Sequence, residues 1–292
     1  MASARKSAVL IAGPTASGKS ALALRIARER DGIIVNTDAL QVYDVLRQIT
    51  ARPPDVDLAA APHLLYGTVP PAVRFSTGDW SRAAQAIIAE HGGRTLIFVG
   101  GTGLYFESLV SGFVEIPHVP PEAVAEAEAE IAGLDRDGRA RLIAARDPVV
   151  AARLSAPDPQ RVTRALAVLN ATGRSLASFQ DEAQAGLLED YALERFVLNP
   201  DRDVLRQRIA RRFEAMFAGG AVEEVRALLA LGLDPGLPAM KAIGVPEVAA
   251  MLRGDLTEGE AIERAVIATR QYAKRQRTWF RGRMADWQWV TA

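Results

Sequence analysis

Three short apolar runs stand out along the first hundred positions. Ala8 to Ala12 (AVLIA), Gly32 to Asn36 (GIIVN) and Thr95 to Val99 (TLIFV) lack the apolar–polar alternation of a half-exposed strand. Such runs predict strands buried on both faces, as in a parallel sheet. Between them the period changes. Ala21 to Arg30 predicts a helix with Leu22, Leu24, Ile26 and Ala27 inward and Arg25, Arg28 and Arg30 in solvent, and Trp80 to His91 predicts another. Strands alternating with helices point to a parallel α/β sheet with helices on both faces.

The pattern breaks near Phe113. Pro117, Pro120 and Pro121 make a Pro-rich joint, and from Glu122 to Ala185 the chain is Ala-rich and helical, with breaks at Gly133, Pro148, Pro157 to Pro159 and Gly173. This stretch reads as a helical insertion. Arg195 to Leu198 (RFVL) predicts a strand that returns to the sheet, and Asn199-Pro200-Asp201 caps a helix over Arg202 to Phe217. The remainder to Ala292 is mostly helical. The expected division is an α/β core over 1–112 and 191–292, interrupted by an insertion over 113–190.

The first strand leads into Gly13-Pro14-Thr15-Ala16-Ser17-Gly18-Lys19-Ser20, which fits G-x-x-x-x-G-K-[ST]. The glycines let backbone amides close around phosphate oxygens, and the following helix adds its positive end. Lys19 brings a full charge to the outer phosphate, and the Ser20 hydroxyl suits Mg²⁺. The expected fold is therefore a P-loop NTPase-like parallel sheet flanked by helices, with an all-helical insertion domain. The strand at Thr95 to Val99 ends in Gly100-Gly101-Thr102-Gly103 rather than in an acid, which argues against a motor ATPase, and a guanine-reading N-K-x-D is absent. Those glycines make a second close-approach turn at a strand's carboxyl end, where open α/β sheets bind ligands. Asp38 follows the second strand at the same edge. Its carboxylate suits a general base or a group that orients an amine; a helix N-cap is the plainer alternative.

Composition narrows the classes. The 35 basic and 35 acidic residues cancel, so any nucleic-acid site must be a local patch. No cysteine is present, which excludes disulfides and thiolate metal sites, and 3 His make a histidine zinc site an unpromising reading. No apolar run reaches the length of a membrane span. Met1 to Ser7 leads straight into a strand and leaves no room for a signal peptide, so a cytoplasmic protein, acting as a monomer, is expected.

Taken in order, GPTASGKS, the stretch Thr37 to Tyr43 (TDALQVY), Val99 to Tyr105 (VGGTGLY) and Asp158 to Leu166 (DPQRVTRAL) resemble the tRNA dimethylallyltransferase family, also called tRNA isopentenyltransferases or IPP transferases. So do RRFEAMFAGGAVEEV from Arg211, MKAIGVPE from Met240 and TRQYAKRQRTWFR from Thr269. The match runs nearly end to end, and the ordered set is far more specific than the P-loop alone. The resemblance implies transfer of a dimethylallyl group from dimethylallyl diphosphate to N6 of the adenine just 3′ of the tRNA anticodon, with release of diphosphate. It implies that Gly13, Thr15, Ala16, Ser17, Gly18, Lys19 and Ser20 hold the diphosphate, with Mg²⁺ at Ser20. Asp38 matches the catalytic acid that contacts the adenine amine, Arg212 a diphosphate-contacting arginine, and Thr102 a residue near the reaction centre that also meets tRNA. Asp38, Ala39, Leu40 and Gln41 match one tRNA-contacting segment. Gln160, Arg161, Val162, Thr163 and Arg164 match a second, and Lys241, Ala242, Ile243, Gly244, Val245 and Pro246 a third.

The sequence departs from the family pattern in places. Gln48 to Pro53 (QITARP) lacks a usual glycine and carries Arg52 for lysine. A His-His-Leu-x-Asp stretch is reduced to Pro62 to Tyr66 (PHLLY). Val245 replaces a tyrosine, and Val124 a family arginine. These changes bear on acceptor contacts more than on the diphosphate loop. From Arg264 to Arg283 seven basic residues occur with no acid between them, interleaved with Tyr272, Trp279 and Phe280. The aromatics are expected in the core and the basic face against tRNA phosphates. Rival readings are a P-loop small-molecule kinase with the insertion as a lid, an isopentenyltransferase acting on free AMP or ADP, and an RNA-binding regulator with a vestigial loop. The helical insertion with Gln160 and Arg161 favours a macromolecular acceptor. Intact Lys19, Ser20 and Asp38 argue for an enzyme.

Overall fold

The computed structural model describes residues 6–112, 114, 116–117, 119–154, 157–182 and 184–291. Its main unit comprises residues 1–110 and 186–292. The strands are β1 (Ser7–Ala12), β2 (Ile33–Asn36), β3 (His63–Leu64), β4 (Leu96–Gly100), β5 (Ala192–Leu198) and β6 (Gln288–Val290). They form one all-parallel sheet in the order β3-β2-β4-β1-β5-β6. The apolar runs lie where expected. Ala8, Leu10, Leu96, Phe98, Ile33, Val35 and Val197 face one core; Val9, Ile11, Ile97, Val99, Ile34 and Leu198 face the other. β1, β2 and β4 are buried on both faces, so none of them carries a polar alternation. β3 and β6, two and three residues long, were not anticipated, because neither is long enough to show a period.

Helices α1 (Lys19–Arg30), α2 (Asp55–Ala60), α3 (Thr77–His91) and α4 (Gly103–Val110) join the first strands. α1 starts at Lys19 rather than Ala21, and Ala23, not Leu22 or Leu24, is fully buried with Ile26 and Ala27. α3 starts three residues before Trp80. Ser76 and Asp79 form a capping box, in which Ser76 Oγ accepts from the Asp79 amide at 3.1 Å and Asp79 Oδ2 from the Ser76 amide at 2.9 Å. Trp80 is the largest fully buried side chain; it stacks on Tyr105 at 4.3 Å and 9° and meets Phe98 edge-on.

Residues 111–185 form a second compact unit. It contains α5 (Pro121–Ile131), α6 (Arg136–Arg146), α7 (Pro148–Ala151), α8 (Pro159–Thr172) and α9 (Leu176–Gln180) around its own core of Ala127, Ile143, Val150, Val162, Ala165 and Leu166, among others. The prolines that break the sequence pattern start helices: Pro121, Pro148 and Pro159 occupy first turns, where a missing N–H costs nothing. Gly173, at φ 68°, closes α8 in the left-handed conformation that glycine adopts freely. Phe113, where the composition break falls, lies outside the described residues. Leu188 and Tyr191 pack into the main core, so the chain rejoins the main unit from Gly186 and not after residue 190.

The main unit continues through α10 (Arg202–Ala218), α11 (Ala221–Ala230), a 3₁₀ turn (Ala239–Lys241), α12 (Val245–Leu252) and α13 (Glu258–Arg283). Asp201 caps α10 by accepting from the Asp203 amide at 2.8 Å. Among the described residues no helix is long and apolar enough to cross a membrane.

Candidate active site

The parallel register carries the chemistry to one edge. Ala12 pairs with Gly100, and Asn36 with Val99. The P-loop after β1, Asp38 after β2 and the glycine turn after β4 therefore leave neighbouring strand ends together, as the strand-end rule predicts. Ala16 is held at φ 61°, an uncommon conformation for a residue with a Cβ, within the loop whose amides would face phosphate. Lys19 and Ser20 sit in the first turn of α1, so their backbone amides belong to the unpaired N-terminal set.

Asp38 does not cap a helix. Residues 39–42 form a turn, and Asp38 Oδ1 accepts from the Leu40 amide at 3.0 Å. Buried Asn36 fixes this turn. Its Oδ1 accepts from the Asp38 amide at 2.8 Å, while its Nδ2 donates to the carbonyls of Asp38 and Leu65 at 2.9 and 3.0 Å. Trp80 Nε1 donates to the Asn36 carbonyl at 2.8 Å and ties the arrangement to the core. Thr102 Oγ1 accepts from the Ala39 amide at 3.0 Å. Its own proton is left for another acceptor. Asp38 Oδ2 takes no hydrogen bond among the described residues.

Two cavities meet here. One, of about 360 Å³, is lined by the loop from Thr15 to Ser20, by Asp38, Gln41 and Tyr66, and by Thr50 to Pro54. The second, of about 290 Å³, is lined by Leu40, Ile49, Phe213, Met216, Lys241 to Ile243 and Tyr272, among others. Thr15, Ala16, Asp38, Thr50 and Arg212 belong to both. Arg212 reaches from α10 into this junction, where Nη1 lies 3.4 Å from Thr15 Oγ1 and Nη2 donates to the Thr50 carbonyl at 3.2 Å. Burial holds Arg212 below its usual range, against the pull of Asp38. Lys19 Nζ donates to the Pro14 carbonyl at 2.9 Å. Burial is the main cause that lowers its ammonium to about 8; Asp38 opposes this and Arg212 adds to it. Two half-buried cations beside one hollow make a site suited to an anion.

Several functional positions escaped the sequence reading. Gln276 of α13 is buried. Its Oε1 accepts from the Thr15 amide and its Nε2 donates to the Gly101 carbonyl, each at 3.0 Å. This amide binds the phosphate loop to the second glycine turn. The approach needs glycine at 101, where a Cβ would come within 2.2 Å of Gln276 Nε2, and at 103, where it would strike the Trp279 ring at 2.4 Å. A glutamine in phase with buried Thr269, Ala273 and Phe280 was the available signal. Of the three interleaved aromatics Phe280 is buried in the core and Trp279 packs against it. Tyr272 and Trp279 are half-buried, and Tyr272 lines the second cavity, because its helical phase carries it off the apolar stripe.

The remaining candidates fall in two groups. Gln41 donates to the carbonyls of Thr50 and Ala51, both at 2.9 Å, and so shapes the first cavity's wall. Arg52 donates to the carbonyls of Tyr43 and Asp44 at 2.9 Å. Lys241 and Pro246 are exposed and Ile243 half-buried, whereas Ala242, Gly244 and Val245 are buried. In the second unit, α8 begins at the Asp158 cap, which accepts from the Arg161 amide at 3.2 Å. It presents Gln160, Arg161 and Arg164 to solvent, with Thr163 half-buried and Val162 in that unit's core. Val124 is half-buried against the same core.

A family model described as IPP transferase matches residues 41–283. The chain is 47% identical over 284 residues to the tRNA dimethylallyltransferase of Rhizobium meliloti, a match covering 96% of this chain and 94% of that protein. It is 52% identical over 279 residues to the tRNA dimethylallyltransferase of Cereibacter sphaeroides, covering 96% and 94%. Among solved structures, the full-length tRNA isopentenylpyrophosphate transferase of Bacillus halodurans is similar at 31% identity and a TM-score of 0.68, over 98% of this chain and 90% of that one. A eukaryotic dimethylallyltransferase acting on tRNA is similar at 26% identity and a TM-score of 0.79, over 94% and 70%.

Proposed function

The chain belongs to the IPP transferase family, and from that premise we propose that it transfers a dimethylallyl group from dimethylallyl diphosphate to N6 of the adenine just 3′ of the anticodon in tRNA. The observation that carries this reading is the pair of cavities joined at Asp38 and Arg212. One is walled by the phosphate loop, the other largely by apolar side chains, and they meet where an alkyl carbon must pass from leaving group to acceptor.

Diphosphate lies along the amides of Gly13 to Ser20, with Lys19 and Arg212 against its oxygens. The flipped adenine enters from the second cavity, out of its stack. N6 forms a bond to the first carbon of the dimethylallyl group as the carbon–oxygen bond breaks, and that bond's electron pair leaves with the diphosphate. Charge gathers on the leaving group in the transition state, where Lys19 and Arg212 already stand. Adenine N6 is a poor nucleophile because its lone pair is delocalised. Asp38 Oδ2 accepts the N6 proton as the new bond forms. The Thr102 hydroxyl holds the Asp38 turn through Ala39 and has a proton to offer the base. Gln160, Arg161 and Arg164 on α8 meet the tRNA, as do Lys241 and Pro246.

Mg²⁺ fits the loop. The exposed Ser20 hydroxyl is one hard oxygen ligand, and such a site completes its shell with phosphate oxygens and water. When bound, Mg²⁺ would neutralise charge on the departing diphosphate.

The test is to offer labelled dimethylallyl diphosphate with unmodified tRNA, AMP and ADP in parallel. Label on a tRNA adenine beside the anticodon supports the reading, and label on AMP or ADP alone overturns it.

A further inference from the structure

The stretch from Arg211 that spans α10 and α11 contains an acid whose side chain turns back toward the reaction site. Glu224 of α11 is half-buried, and its Oε2 accepts from the Gln48 amide at 2.5 Å. Gln48 lies in a tight turn over residues 47–52. Within it the Ala51 amide donates to the Gln48 carbonyl and the Arg52 amide to the Arg47 carbonyl, each at 2.9 Å. Ala51 is held at φ 51°, a left-handed conformation that costs a residue with a Cβ, so the turn needs support from its surroundings. Burial raises the Glu224 carboxyl above its usual range, and the Gln48 and Ile49 amides, then the Arg52 guanidinium, oppose that rise.

The other end of the turn meets the chemistry. The Thr50 and Ala51 carbonyls accept from Gln41 Nε2, and the Thr50 carbonyl also accepts from Arg212 Nη2 at 3.2 Å. Thr50 lines both cavities, Ile49 the acceptor cavity, and Ala51 and Arg52 the phosphate-loop cavity. The turn is therefore held by Glu224 at its amide end and by Gln41 and Arg212 at its carbonyl end. A long guanidinium side chain takes its direction from the acceptors it meets, and Thr50 is one of them. Building on the reading that Arg212 meets the leaving diphosphate, we propose that Glu224 is a positioning residue for the transfer: it holds the 47–52 turn so that the Thr50 carbonyl aims Arg212 at the diphosphate. Glu224 lines neither cavity. Its charge has the wrong sign to attract the substrate, so any help it gives an anion comes through the geometry it imposes.

The test uses the full-length protein and measures Kd for dimethylallyl diphosphate and for inorganic diphosphate by titration. Glu224→Ala removes the acceptor, and both Kd values should rise about tenfold. Glu224→Gln keeps an oxygen for the Gln48 amide and should stay within about threefold of wild type. Charge alone predicts the reverse, since loss of an acid near an anion site would tighten both ligands in either variant. Unchanged or tighter binding in Glu224→Ala overturns the proposal, as does a glutamine variant no better than the alanine. In an Arg212→Ala background, adding Glu224→Ala should weaken binding by less than about twofold, because the group it aims is gone. The full loss persisting there overturns the route through Arg212. Glu224→Asp keeps the charge but withdraws it from the turn; it should bind as poorly as the alanine and serves the same cycle if the alanine variant does not fold. Glu223→Gln, at an exposed acid on the same helix, should leave both Kd values at wild type, and an equal loss there overturns the proposal. Binding is read without turnover, and inorganic diphosphate carries no prenyl group. These outcomes therefore stay separate from the transfer reading, which fails only if the wild-type protein prenylates no tRNA.

Discussion

The two walls of the reaction site are built in opposite ways. One wall comes from short, contiguous segments at strand ends: the phosphate loop, the Asp38 turn and the glycine turn after β4. Each is a run of consecutive residues, and the Asp38 turn is held by its neighbour Asn36. The other wall is assembled from α10 and α13, whose contributions at Arg212, Tyr272 and Gln276 lie more than a hundred residues away from the first. On the proposed reading the first wall carries Asp38 and Lys19, and the second adds only Arg212 to the groups that meet the leaving diphosphate. The second holds them in place through side chains that reach across, and it frames the acceptor. Damage to the first should therefore appear in the chemical step, and damage to the second in binding and positioning.

The largest effect should come from Asp38→Asn. The amide can still accept from Leu40, so the turn should survive, but it cannot take a proton. Turnover should fall by roughly two to four orders of magnitude. Titration with dimethylallyl diphosphate should give a nearly unchanged Kd. A near-normal kcat in a stable variant would remove Asp38 from the chemistry.

Next comes Lys19→Ala, which takes a charge from the leaving group. Steady-state kinetics should show kcat/KM for dimethylallyl diphosphate reduced by about 10²–10³, with binding weakened as well. Wild-type turnover would contradict the assignment of the loop.

Gln276→Leu tests the remote wall. It strands the Thr15 amide and the Gly101 carbonyl, which should cost about 1–3 kcal/mol of stability in a denaturant titration. The KM for dimethylallyl diphosphate should rise by about tenfold while kcat changes less, because the loop is displaced but the reacting groups remain. A loss confined to kcat would place Gln276 with the reacting groups instead.

The smallest effect is one of pH. Lys19 in the free protein titrates at about 8. Its charged form attracts diphosphate and its neutral form does not, so affinity should be full below that pH and decline as pH rises through it. Between pH 7.5 and 8.5 the change should be only about a few-fold, since one proton is involved. In Lys19→Arg the dependence should vanish from isothermal titrations over that range. If the arginine variant retains it, another group is responsible.

The same contrast explains what the sequence disclosed. β1, β2, β4 and the phosphate loop were readable because burial on both faces and close phosphate approach each dictate composition over a few consecutive residues. The insertion was readable from its Ala-rich helical period, whereas its prolines read as breaks and in the fold start helices. β3 and β6 were not readable, since pairing with a neighbouring strand, not their own residues, makes them strands. The N-cap reading of Asp38 failed because an Asx-type turn and a helix cap use the same local hydrogen bond, and the turn here is fixed by Asn36 two residues before it and by Thr102, which the fold brings in. Gln276 could be seen only as a misplaced polar residue on an apolar stripe. Its partners at Thr15 and Gly101 follow from how α13 docks.

The central claim is that the phosphate loop holds a leaving group and not a group to be transferred. It is tested most directly with dimethylallyl diphosphate labelled in both its carbon chain and its phosphorus, incubated with unmodified tRNA and Mg²⁺. Carbon label is expected on the tRNA adenine beside the anticodon, with an equal amount of phosphorus label released as diphosphate. Phosphorus label on the acceptor, or no carbon transfer while ATP phosphorylates a small molecule, would contradict it.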